Sequence, residues 1–133
     1  MASNMAGVRL EDRWRDILSV HARTMREIDR VLHPFGLGAS DFEVLDILAS
    51  GTVGAAVAGI APRVQNIAEK AHLSQSALSR LIGRLEKKGL VERSVRAEDR
   101  RNVWVALTEK GRDLHTEVLP LQRDVLSRML QQG

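Results

Sequence analysis

From Ser74 to Lys88 the sequence reads SQSALSRLIGRLEKK, and its aliphatic and polar residues separate onto two sides of one predicted helix. Leu78, Leu81, Ile82 and Leu85 recur at i, i+3, i+4 and i+7, the spacing of a buried stripe. The opposite side then carries Gln75, Ser76, Ser79, Arg80, Gly83, Arg84 and Lys87, short polar or basic residues without apolar bulk. Serines let a helix come close to a partner surface. Glutamine can pair with the edge of adenine, and arginine can bond guanine O6 and N7 together or hold a phosphate. Ser74, at the helix start, sets its hydroxyl beside free backbone N–H groups, which suits phosphate. The only acid on the helix is Glu86, whereas a merely solvated face would carry more glutamate. The face fits the major groove of a duplex.

A second cluster follows. Arg96, Asp99, Arg100 and Arg101 lie in a charged turn between two segments rich in β-branched residues, Leu90–Val95 and Asn102–Leu107. Arginines at a narrow β-turn can enter a minor groove, where the negative potential attracts them. Asp99 is placed to pair with Arg101 and fix its direction. A charged turn that only keeps the chain soluble is the plainer alternative.

Other elements must hold these residues in place. Val64, Ile67, Ala68 and Ala71 predict a short helix before the first, joined to it through His72-Leu73. Lys87 and Lys88 favour a helix end, and Gly89 can stop the helix in a left-handed conformation. Helix, tight turn, helix and charged hairpin make a winged helix-turn-helix, placed at residues 63–107. Upstream, Leu10, Trp14, Ile17, His21, Met25, Ile28 and Leu32 mark one stripe of a long helix that ends at Pro34. Ser40 and Glu43 have the spacing of a capping box and are expected to open the next helix. Gly51, Gly54 and Gly59 argue for a flexible loop over Ser50–Ala61, with at most a short helix near Gly54–Ala58. A last helix starts at Thr108 with the stripe Leu114, Val118, Leu121, Val125 and Met129, and Pro120 should kink or break it. The fold class expected is mainly α with one small β-hairpin, in a single domain spanning 1–133. Residues 10–33 and 108–132 are expected to form a helical dimerisation region, because their long apolar stripes lie outside the compact motif. The alternative is that the two helices cover each other within one chain.

Charge agrees with the groove reading. Arg63 to Arg112 holds 12 Lys/Arg against 6 Asp/Glu, while the rest of the chain holds 8 against 11. A basic middle points to a polyanion partner, though such clustering also arises by chance. The absence of cysteine excludes disulfides, thiolate metal sites and thiol redox sensing. No apolar run approaches the roughly 18 residues of a membrane span, and the opening residues lack the layout of a signal peptide, so no membrane partner and a cytoplasmic location are expected. His21, His33, His72 and His115 are scattered, and no catalytic triad, phosphate loop or His-Glu-x-x-His pattern occurs. An enzyme is not expected, and neither is a resident cofactor.

The segments Leu73-Ser74-Gln75-Ser76-Ala77-Leu78-Ser79-Arg80-Leu81 and Leu85-Glu86-Lys87-Lys88-Gly89-Leu90-Val91 resemble the multiple-antibiotic-resistance regulator (MarR) family. So do Glu98-Asp99-Arg100-Arg101 and Val105-Ala106-Leu107-Thr108-Glu109-Lys110-Gly111, and the resemblance runs from about Leu10 onward. It implies a dimeric repressor on a pseudo-palindromic operator in double-stranded DNA, released by a small aromatic or anionic effector. It also implies groove or phosphate contacts from Ser74, Gln75, Ser76, Ser79 and Arg80, a minor-groove finger at Arg101 and a brace at Asp99. Four departures stand out. His72 replaces a frequent turn glycine, and Arg63 replaces the usual hydroxyl cap. The Gly/Ala segment is long, and the chain stops at Gly133, where members often add a helix. Two other readings stay open. One is a winged-helix module whose basic face docks an acidic protein. The other is a metal-responsive regulator using His21, Glu27, His115 and Glu117, whose spacings match no compact ligand motif.

Overall fold

The computed structural model describes residues 2–58, 64–96 and 99–131, in the order α1 (Ala2–Leu32), a 3-10 turn (His33–Phe35), α2 (Ala39–Ala58), α3 (Val64–Ala71), α4 (Gln75–Lys87), β1 (Val91–Arg96), β2 (Asp99–Leu107) and α5 (Glu109–Leu130). It separates into two compact units, Met1–Ala39 with Pro120–Gly133, and Ser40–Leu119. The mainly helical chain with one antiparallel hairpin is the fold class expected.

In the first unit, α1 begins at Ala2, well before Leu10, because nothing in its opening residues breaks a helix. Pro34 falls in the 3-10 turn, and Gly36 takes the left-handed conformation at φ 75° that lets the chain turn back. Ile28 and Leu32 are buried, as are Leu37, Ala39 and Val125. Higher up α1, Leu10, Trp14, Ile17 and Leu18 remain exposed. The start of α2 corrects the capping expectation: the helix opens at Ala39, whose N–H donates to Asp29 Oδ1 at 2.7 Å. Ser40 therefore sits inside the first turn and Glu43 just beyond it. A carboxylate from α1 meets the free amide instead.

The expected loop over Ser50–Ala61 is also corrected, since α2 runs unbroken to Ala58. Gly51 and Gly54 each cost a helix about 1 kcal/mol relative to alanine. Ala49, Ala55, Ala56 and Ala58, the strongest helix formers, add no further cost within the same turns. Residues 59–63, with Gly59 and Arg63, lie outside the described residues.

The second unit is built on a dense aliphatic core. Phe42, Leu45, Leu48, Ile67, Leu78, Ile82, Leu85, Leu90, Val91 and Val105 are all essentially inaccessible to solvent. Each such side chain contributes roughly 1.5–3 kcal/mol of transfer free energy. The hairpin pairs Val91 with Leu107 and Val95 with Val103, then slips so that Arg96 faces Asp99. Three extra residues on β2 are accommodated by that irregularity.

α5 continues through Pro120 instead of breaking there. Proline removes one backbone bond, and the turns on either side suffice to carry the helix across. The boundary between the two units does fall at this residue.

The first turn of α5 is fastened to the end of α4. Thr108 Oγ1 donates to Gly89 O at 2.6 Å and accepts the Gly111 N–H at 3.0 Å, while Thr108 N–H donates to Leu90 O at 3.1 Å. Lys110 Nζ reaches Lys88 O at 2.9 Å. Gly111 is obligatory in this latch, because a Cβ there would lie 2.0 Å from Leu90 O.

Candidate nucleic-acid interface

Two left-handed residues bracket the helix that carries the candidate contacts. His72, at φ 56°, ends α3 with its N–H on Glu69 O, and the Leu73 N–H bonds Ala68 O. Gly89, at φ 74°, ends α4 in the same way, with its N–H on Glu86 O and the Leu90 N–H on Leu85 O. Both are Schellman terminations. Histidine tolerates left-handed geometry well enough for the turn to form without glycine. Ser74 is the N-cap, its Oγ accepting the Ala77 N–H at 3.1 Å, and its O–H stays available to donate.

Between these stops Leu78, Leu81, Ile82 and Leu85 are buried, and Gln75, Ser76, Ser79, Arg80, Arg84 and Lys87 are exposed. The fold thus displays on one surface the residues that the helical period brings together. Gly83 lies among them, half-exposed. Among the described residues Arg80 has no charged partner.

Arg84 differs from the rest. Its guanidinium donates to Asp41 Oδ1 at 3.2 Å, and Asp41 is 7% exposed near the start of α2. A contact spanning 43 residues leaves no local signal in the sequence. Arg84 is therefore partly committed inside the protein, unlike Arg80. At the far end of α4, Arg93 of β1 donates to Glu86 Oε1 at 2.9 and 3.2 Å. That hydrogen bond holds the Glu86 carboxyl below the ordinary glutamate range. It also engages the one acid on α4 and ties the hairpin to the helix.

In the hairpin, Arg96, Asp99, Arg100 and Arg101 are placed by backbone within β1 and β2. The expected Asp99–Arg101 brace and minor-groove reach depend on side chains outside those described, as do residues 97 and 98.

Elsewhere in this unit, His115 Nε2 and Asp46 Oδ1 are 2.8 Å apart, and the His115 ring stacks on Phe42 with centroids separated by 5.5 Å. The sequence gives no hint of this pair, which joins positions 69 residues apart. His21, His33 and His72 are exposed. Among the described residues no group of three or more His, Cys, Asp or Glu is arranged to hold a metal ion, and no helix is long and apolar enough to cross a membrane.

Comparison with known proteins gives this geometry a context. The MarR family profile matches residues 60–103. The HTH-type transcriptional regulator YwhA of Bacillus subtilis is 31% identical over 68 residues, 51% of this chain and 49% of that one. The chain spans about half the length of the curated relatives it matches. The crystal structure of AbsC, a MarR-family transcriptional regulator from Streptomyces coelicolor, is 31% identical with a TM-score of 0.75, covering 90% of this chain and 76% of its own. A mutant MarR from Escherichia coli, solved in complex with operator DNA, shares the fold at a TM-score of 0.77 and 22% identity over 93% of this chain and 84% of its own. With profile, sequence and fold in agreement, the chain belongs to the MarR family of winged-helix transcriptional regulators.

Proposed function

We propose that this protein is a sequence-specific repressor that binds a pseudo-palindromic operator as a homodimer, with α4 in the major groove. The observation that supports it most is the division of α4: four aliphatic side chains turned inward, and glutamine, serines and arginines turned out. Ser74, Gln75, Ser76, Ser79 and Arg80 are the proposed groove and phosphate contacts, with Arg84 shared between Asp41 and DNA. Arg96, Arg100 and Arg101 are the proposed wing contacts, and Asp99 the brace.

Dimerisation is supported by the open face of α1. Leu10, Trp14, Ile17 and Leu18 are 46% to 65% exposed in the single chain. A patch of that kind is rarely left to water, and a second copy covers it. Two recognition helices related by a two-fold would then enter grooves about 34–36 Å apart. Release by a small aromatic or anionic effector completes the proposal, on the strength of the family resemblance.

Selection of bound duplexes from a random library tests the reading. The expected result is a two-fold symmetric site with half-sites one helical turn apart. Arg80→Ala should then cost about 1–3 kcal/mol of binding to that site. Recovery of no preferred sequence, or equal affinity for a random duplex, would overturn it in favour of a module that docks an acidic partner.

A further inference from the structure

Three described glycines of the second unit can be compared by what the fold demands of them. Gly89 has φ 74°, which an L side chain rarely adopts. Gly111 has the backbone of Leu90 against it. Gly83 has neither constraint: it lies inside α4 without a positive φ, and an added Cβ would meet nothing within 4 Å. Glycine in a helix interior lowers stability relative to alanine. Among the described residues nothing repays that loss.

Position on the helix suggests what does. At about 100° per residue, Gly83 lies within about 30° of the direction opposite the buried stripe, at the crest of the outward face. Ser79 and Ser76 stand on the same outward face one and two turns earlier, and Arg80 and Lys87 lie one turn before and after Gly83. The cations on either side favour a polyanion, and at Gly83 itself the outward face offers only backbone.

We propose that Gly83 is the point of closest approach to DNA, where the backbone of α4 rests in van der Waals contact with the floor of the major groove. Its missing side chain sets how deeply Arg80 and Gln75 can reach, which makes Gly83 a specificity-determining residue. The inference rests on the groove reading of α4 proposed above.

The two fates of a methyl group separate this from a structural role. In the full chain, Gly83→Ala should raise the unfolding midpoint by roughly 2–5 °C without DNA. The same substitution should weaken binding to the selected operator by about fivefold to a hundredfold, the scale of a steric overfill, and Gly83→Leu should weaken it further. The salt dependence should keep its slope, since no phosphate contact is removed. Affinities within twofold of the parent for both variants would overturn the inference. Arg80→Ala, titrated alongside, tells the two failures apart. If it weakens binding while both Gly83 variants do not, only the close approach is lost. If all three leave binding unchanged, the groove reading falls and takes this inference with it.

Discussion

α4 and the first half of α1 carry the same aliphatic period but end in opposite states. In α4, Leu78, Leu81, Ile82 and Leu85 are buried by the chain's own core, while in α1 Leu10, Trp14, Ile17 and Leu18 are open to solvent. The stripe on α1 does reach a buried state further down, at Ile28 and Leu32. Periodicity therefore reports that a face must be covered, but not what covers it. For α4 the cover lies within the same 80-residue unit, Ser40–Leu119. For the upper part of α1 the described residues leave it uncovered, and a second chain is the proposed remedy.

The sharpest test of the closed face is Leu78→Ala. A fully enclosed leucine should cost about 3–5 kcal/mol in urea unfolding, and a loss under about 1 kcal/mol would mean that α4 is not sealed as described. Gly111→Ala comes next. The methyl must displace the Leu90 carbonyl or the start of α5, at about 1–3 kcal/mol, and a neutral result in the same assay would show that the latch yields freely. On the open face, Trp14→Ser with Leu18→Ser should leave helicity intact by circular dichroism. The dissociation constant of the proposed dimer, from sedimentation, should rise about tenfold or more; unchanged self-association would remove α1 from the proposed interface.

The smallest effect concerns pH. Arg93 lowers the Glu86 carboxyl from the ordinary value of 4.5 in the folded state. Its contribution is thus fully present above pH 4.5 and disappears as pH falls through the lowered folded value. Arg93→Met should slightly reduce stability at neutral pH and make no difference in stronger acid. Equal destabilisation across that whole range would point to lost packing by the Arg93 stem instead.

Legibility followed locality. The cap at Ser74, the stop at Gly89 and the turn at His72 each depend on neighbours within a few residues, and each formed where the pattern placed it. The misreadings have a physical cause of the same kind. Gly51 and Gly54 weigh as breakers when taken alone, but helix propensity sums over a window that also holds Ala49, Ala55, Ala56 and Ala58. Pro120, expected to kink or break its helix, does not break it, because a long helix can lose one bond and continue. What was wholly hidden is non-local: Asp29 on the Ala39 amide, Asp41 on Arg84, and Asp46 on His115. No single-chain pattern announces an acid that will meet a distant base. The value of Gly83 was invisible for another reason, since only coordinates reveal that the space beside it is empty.

The latch between Lys88, Gly89 and the start of α5 has an electrostatic consequence. A helix that offers one side to a polyanion brings two partial charges with it, and the carbonyl-rich end is repelled by phosphate. In α4 that negative pole is not left bare. The carbonyls just past its end, of Gly89 and Lys88, are taken by the Thr108 hydroxyl and by the ammonium of Lys110, so a full positive charge sits beside the unfavourable end. The repulsion is reduced inside the protein, which would ease the proposed approach of α4 to a duplex.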